Sequence, residues 1–184
     1  PGQAEGTPIP DTKRLRTPDV LEDGLYRLEI VAYRAESADP FGPPIPVDWF
    51  WVGPPPAPPA LPLSASWRNG IALLGADPLP ATLDAEAPLT LRLRWQTNAA
   101  VAEEYTAFMH LVGPDGALAA QDDHAPRHGF WPTSGWRPGV TVDDAYKMAL
   151  PSRLESGVYR LLVGWYTSAT GERLLLEDGS DALE

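Results

Sequence analysis

The sequence predicts an all-β protein: an antiparallel β-sandwich, Ig-like or jelly-roll-like, preceded by an N-terminal β-hairpin. Three observations carry that prediction. Apolar and polar residues alternate in short runs punctuated by turns, and no segment keeps a 3.6-residue period. The 184 residues include 22 Pro and 16 Gly, too many for a helical protein. One phrase also occurs twice: PDVLEDGLYRL at 18–28 and PSRLESGVYRL at 151–161 align without a gap, 133 residues apart, identical at seven of eleven positions. The second copy has a long strand-like stretch ahead of it (64–150), the first only seventeen residues. The chain is therefore expected to open inside one module and run through a complete second one.

The first ten residues are rich in Gly and Pro and are expected to be poorly ordered or an edge. From Gly24 the pattern alternates, with Tyr26, Leu28, Ile30 and Ala32 on one face and Arg27, Glu29 and Val31 on the other, as in a half-buried strand. A loop at 35–44 leads to VDWFWV at 47–52, aromatic and β-prone, and the two strands make a hairpin expected to dock on the main sandwich. GPPPAPPALP at 53–62 marks a boundary. Proline lacks a ladder donor, and such a run favours an extended strap of ~3 Å per residue. The organisation expected is a partial module at 1–52, a Pro-rich linker at 53–63 and a complete sandwich at 64–184.

Within that sandwich, strands are expected at 71–75, 89–96, 105–112, 117–122, 140–150, 157–166 and 172–177. Leu89, Leu91, Leu93 and Trp95 point inward and Thr90, Arg92, Arg94 and Gln96 outward. YTAFMHLV at 105–112 is apolar nearly throughout, as a central strand is. GPDG at 113–116 has Pro and Gly where a type I or II turn wants them, and SATG at 168–171 turns the last pair. Residues 123–139 are a long loop. Leu150-Pro151 ends one strand and Ser156-Gly157 starts the next, a fixed crossover between sheets whose corner recurs at 17–24. In both copies the repeated Tyr (Tyr26, Tyr159) is expected inward and the repeated Arg (Arg27, Arg160) outward.

Composition narrows the partners. A net charge of −11 and a pI of about 4.6 oppose nucleic acid and anionic membrane surfaces. The absence of cysteine excludes disulfides and thiolate chemistry. No run of 18 apolar residues is present, so no segment of this sequence is expected to insert into a membrane as a helix.

Read in order, the phrases IALLG (71–75), LTLRLRWQ (89–96), YTAFMHLVGPDGALAAQDD (105–123), WPTSGWRPG (131–139), DDAYKMALP (143–151) and SGVYRLLVGWYTSATGERL (156–174) resemble one domain type. It is the C-terminal extracytoplasmic β-sandwich of bacterial, Chloroflexi-type membrane glycosyltransferases of the protein-mannosyltransferase type. The resemblance covers roughly 64–184, and 18–52 resembles the tail of a preceding copy. It implies an extracytoplasmic accessory domain without chemistry of its own, since the catalytic groups of such enzymes lie in their membrane-embedded part. Gly135 departs from the pattern, which more often has a polar or basic residue between Ser and Trp.

Three functional classes follow. The first is the non-catalytic accessory or interaction domain, with the parent membrane enzyme or a glycan as partner. The second is a carbohydrate-binding module built on the 123–139 loop, where Trp131, Trp136, Arg137 and His128 would stack on and hydrogen-bond a sugar. The competing reading of those indoles is that they plug the open end of the sandwich. The third is a glycoside hydrolase-like enzyme with an unrecognised carboxylate pair; no nucleophile elbow or phosphate loop is present. No cofactor is implied, although Asp122/Asp123, Asp143/Asp144 and the tail acids Asp178 and Asp181 are oxygen ligands suited to Ca²⁺. His110 reads as a hydrogen-bonded strand residue, and Pro126 argues against a helix that would aim His124 and His128 at one zinc ion.

Overall fold

The computed structural model describes residues 12–184, so the expectation for the first ten residues lies outside the described part. Nine strands follow in order: β1 (Gly24–Ile30), β2 (Ile45–Val52), β3 (Leu61–Ser66), β4 (Ile71–Ala76), β5 (Leu89–Thr97), β6 (Tyr105–Val112), β7 (Leu118–His124), β8 (Thr141–Met148) and β9 (Arg160–Thr167). Two short 3₁₀ turns, Pro126–Gly129 and Thr133–Gly135, are the only helical elements among the described residues. The strands form three antiparallel sheets: β1-β2, β3-β4-β5-β8 and β7-β6-β9. The two larger sheets pack face to face as an antiparallel β-sandwich. Setting edge strand β3 aside, the module's first, second and fifth strands lie in one sheet and its third, fourth and sixth in the other, an immunoglobulin-like order. β8 and β9 belong to different sheets, so the crossover expected at 150–157 does switch sheets.

The core follows the period-2 pattern. Leu89, Leu91, Leu93 and Trp95 of β5 are buried, and they meet Ala107, Met109 and Leu111 of β6 and Val163 and Trp165 of β9 in one cluster. Trp67, Trp95 and Trp165 pack edge to face at 5.6 Å and 4.8 Å, and Trp165 meets Trp136 of the long loop at 5.8 Å. Outward Arg92 and Arg94 hold the proline strap against this sheet. Arg92 donates to the Ala57 carbonyl (2.9 Å) and Arg94 to the Pro56 carbonyl (2.8 Å). Arg94 also makes a fork to its cross-strand neighbour Asp143, at 2.6 Å and 2.5 Å. The strap is thus a pinned cover.

Three elements differ from expectation. Residues 61–63 belong to β3, not to a linker. Pro62 is tolerated because β3 is an edge strand whose ladder slips between Pro62 and Ala65. The last strand is broken: Arg173 bridges to Tyr166, Leu176 bridges to Trp67 on the other sheet, and Leu183 bridges to Val163. β9 begins only at Arg160, and residues 155–159 ahead of it are held as a corner. The Tyr159 hydroxyl donates to the Glu155 carbonyl (3.2 Å) and accepts from the Glu155 amide (3.0 Å). Tyr26 repeats the bond to the Glu22 carbonyl at 3.0 Å. The duplicated phrase therefore encodes a tyrosine corner, a device of immunoglobulin-like sandwiches.

The face of β1 is also reversed. In the complete copy Tyr159 and Leu161 pack against the core, and Arg160 is turned out to Glu184. In the first copy it is Leu25 and Trp49 that pack against the core, with Arg27 placed 5.0 Å over the Phe130 ring. Tyr26 stacks instead on Phe50, its cross-strand neighbour (6.0 Å). A hairpin has two faces, and Trp49, the larger apolar group, takes the one the sandwich offers.

Candidate functional site

The long loop caps the end of the sandwich where β6 begins. Thr133, fully buried, fastens it there: its hydroxyl donates to the Glu103 carbonyl (2.7 Å) and accepts from the Tyr105 amide (2.9 Å). Trp136 donates its indole N–H to the Trp131 carbonyl (3.1 Å), and Trp131 donates to the Gly135 carbonyl (3.3 Å). These bonds fold the loop onto itself and bury both indoles, leaving Trp131 4% and Trp136 2% exposed. The outer face of Trp131 is taken by Trp49 of the hairpin, stacked at 6.2 Å and 10°. Trp49 also donates to the Phe130 carbonyl at 2.6 Å. Arg137 is solvent-facing and paired with Asp48 of the hairpin at 3.0 Å. So Trp131, Trp136 and Arg137 come together, but around another part of the same chain.

The lack of a side chain at Gly135 has a steric reason. A Cβ built there would lie 2.4 Å from the Trp49 ring, so any side chain forces the loop and the hairpin apart.

His128 lies on a second feature, a polar seam closing edge strand β7 against edge strand β8. His124 ends β7, with Nδ1 2.9 Å from Asp122 and Nε2 3.3 Å from Asp144. Asp144 points inward on β8 beside Val142 and Tyr146 and is 1% exposed. Asp122 also accepts the Lys147 amide at 2.6 Å, and Arg127 donates to the Asp143 carbonyl at 3.2 Å. The His124 ring is sandwiched by His128 (4.0 Å) and Tyr146 (4.5 Å). Burial disfavours the His124 imidazolium, but Asp144 and Asp122 outweigh it and raise its pKa above the ordinary value. Burial pushes the Tyr146 phenol well up, reinforced by the Asp144 charge, so it stays a neutral donor.

Residues Arg127 and His128 adopt left-handed backbone angles (φ 54° and 53°), followed by Gly129 at φ 80°. Such a turn costs about 1–2 kcal/mol per non-glycine residue. It places Arg127, His128 and Phe130 around a cavity of about 200 Å³ floored by Asp144 and Ala145. The stacked imidazoles, tilted 27° to each other, keep their nitrogens in their own ring planes, so His124 and His128 do not converge on one ion. Among the described residues no group of three or more His, Asp or Glu side chains is arranged to hold a metal. Asp178 caps its own turn, accepting from the Ser180 amide (2.9 Å) and hydroxyl (2.7 Å), which lowers its pKa; Asp181 pairs with Arg173 (2.9 Å). His110 faces Asp123 at 3.1 Å on the outer side of β6.

Sequence reasoning missed two participants. Trp49 was legible only as a strand residue, since nothing local says which tryptophan it meets 82 positions away. Asp144 was grouped with Asp143, although the period-2 rule puts neighbours on opposite faces: Asp143 on Arg94, Asp144 on His124. No family model, curated protein or solved structure matches this chain.

Proposed function

We propose that this chain is a non-catalytic, extracytoplasmic accessory module of a larger bacterial protein, a membrane glycosyltransferase of the type its phrases resemble. Its long loop serves as a socket for a neighbouring β-module. The observation that carries this reading is the occupied loop. The aromatic surface that would stack on a sugar is filled by Trp49, and the arginine beside it is neutralised by Asp48. A side-chain-free Gly135 keeps that approach open. The setting rests on the order and spacing of the six phrases between 71 and 174.

A glycan panel titrated against the full chain, with Trp131→Ala and Trp49→Ala beside it, tests the socket. The expected result is no saturable binding below about millimolar, and a lower melting temperature for both variants. Sugar binding that Trp131→Ala abolishes would return the loop to a carbohydrate-binding role. The setting is tested in the parent enzyme: deleting the module is expected to leave turnover of a soluble acceptor intact while changing use of the natural one.

A further inference from the structure

We infer that the outer face of the β1-β2 hairpin is the inner face of a second sandwich, covered by strands of a preceding module in the same polypeptide. The repeat identifies the face. It equates Tyr26, Leu28 and Ile30 with Tyr159, Leu161 and Val163. In the complete copy those three look into the core, with Val163 6% exposed and Trp165, next on that face, fully buried. In the first copy Tyr26 and Leu28 are half-buried, while Ile30 is 59% exposed, its cross-strand neighbour Ile45 is 64% exposed, and Phe50 is 42% exposed. The corner bond from tyrosine to the carbonyl four residues back is the same in both. The corner bond is duplicated, although β1 already starts at Gly24 while the matching Gly157 lies ahead of β9.

The hairpin's other face cannot be the inner one, because Leu25, Arg27 and Trp49 already rest on the loop and core of the following module. In the complete module the layer over β9 is built from β4, β5 and β8, and all three precede β9 in the chain. The same order places the missing layer ahead of residue 18. Residues 12–23 form no strand and cannot supply it.

A second copy of this chain is the weaker occupant. The seven paired positions of the two strands offer roughly 23 Å by 10 Å. Two copies face to face would bury about 500 Å² against the roughly 1,200 Å² of a stable association. A layer joined by the backbone needs no such area, since its effective concentration is high. The hairpin would then be shared, with one face closing its own sandwich and the other docking on the next, so that modules follow one another at a fixed angle. This inference stands whether or not the parent protein is a transferase.

Amide hydrogen exchange on the unsubstituted protein tests it, comparing the 184-residue chain with the natural polypeptide extended upstream by one module. The β1 amides are expected to exchange at least tenfold more slowly in the longer form. The pair Ile30→Thr with Phe50→Thr is expected to leave the melting temperature of the 184-residue chain within about a degree and to lower that of the extended form by several. Equal exchange in both lengths overturns the inference. So does a reading frame too short upstream to hold such a module, or a concentration-dependent dimer of the 184-residue chain that the double substitution abolishes, which gives the face to a second copy.

Discussion

His124 lies between the carboxylates of two different sheets, and its chemistry dates the seam by pH. Its pKa is raised in the folded state, so its stabilisation is fully present below the unfolded value near 6.5 and fades as pH rises through the folded one. His124→Asn is therefore expected to destabilise by about 3 kcal/mol at pH 5.5, because Asp144 is left buried without its cation, and by less at pH 8.5. Urea melts at the two pH values measure this; a deficit that grows with pH would remove the imidazolium from the account. At Gly135 the argument is steric. Gly135→Ala drives a methyl into Trp49, so the hairpin should lift while the sandwich stays folded. Limited proteolysis reads this as faster cleavage within the hairpin at 24–52, and an unchanged cleavage rate would mean that the loop yields.

At the scale of the element, the duplicated phrase is a corner before it is a strand. Tyr159→Phe removes one hydroxyl bonded to a turn that joins the two sheets, and about 1 kcal/mol of stability should go with it. Tyr26→Phe removes the same bond from a hairpin held mainly by Trp49, so the global melt should barely move while exchange of the β1 amides quickens. Equal effects in denaturant titrations of the two variants would contradict this division. The proline strap is an element too, held by Arg92 and Arg94. Arg94→Ala is expected to cost about 3 kcal/mol, since it strands the buried Asp143 carboxylate; Arg92→Ala, whose Asp77 partner is half-exposed, should cost under 1 kcal/mol.

For the whole molecule, truncation separates the hairpin from the sandwich. Removing residues 1–52 is expected to lower the melting temperature by a few degrees, because Trp131 loses its cover. Removing 1–62 should lower it further, because it cuts into edge strand β3. Calorimetry decides between them, and identical melts for both truncations would deny β3 a structural role. The sequence by itself determined the fold class, the inward and outward faces of the strand at 89–97 and the presence of one phrase twice. Those are set by period-2 burial, by the turn chemistry of Pro and Gly, and by a local corner bond four residues long, all written within a few neighbouring positions. Only the tertiary structure decided which face of the first hairpin turns inward, that the aromatic loop is already filled, and that His124 and Asp144 belong together. Each of these depends on which distant surface is nearest and large enough to cover, and the spacing of residues along a chain carries no record of that.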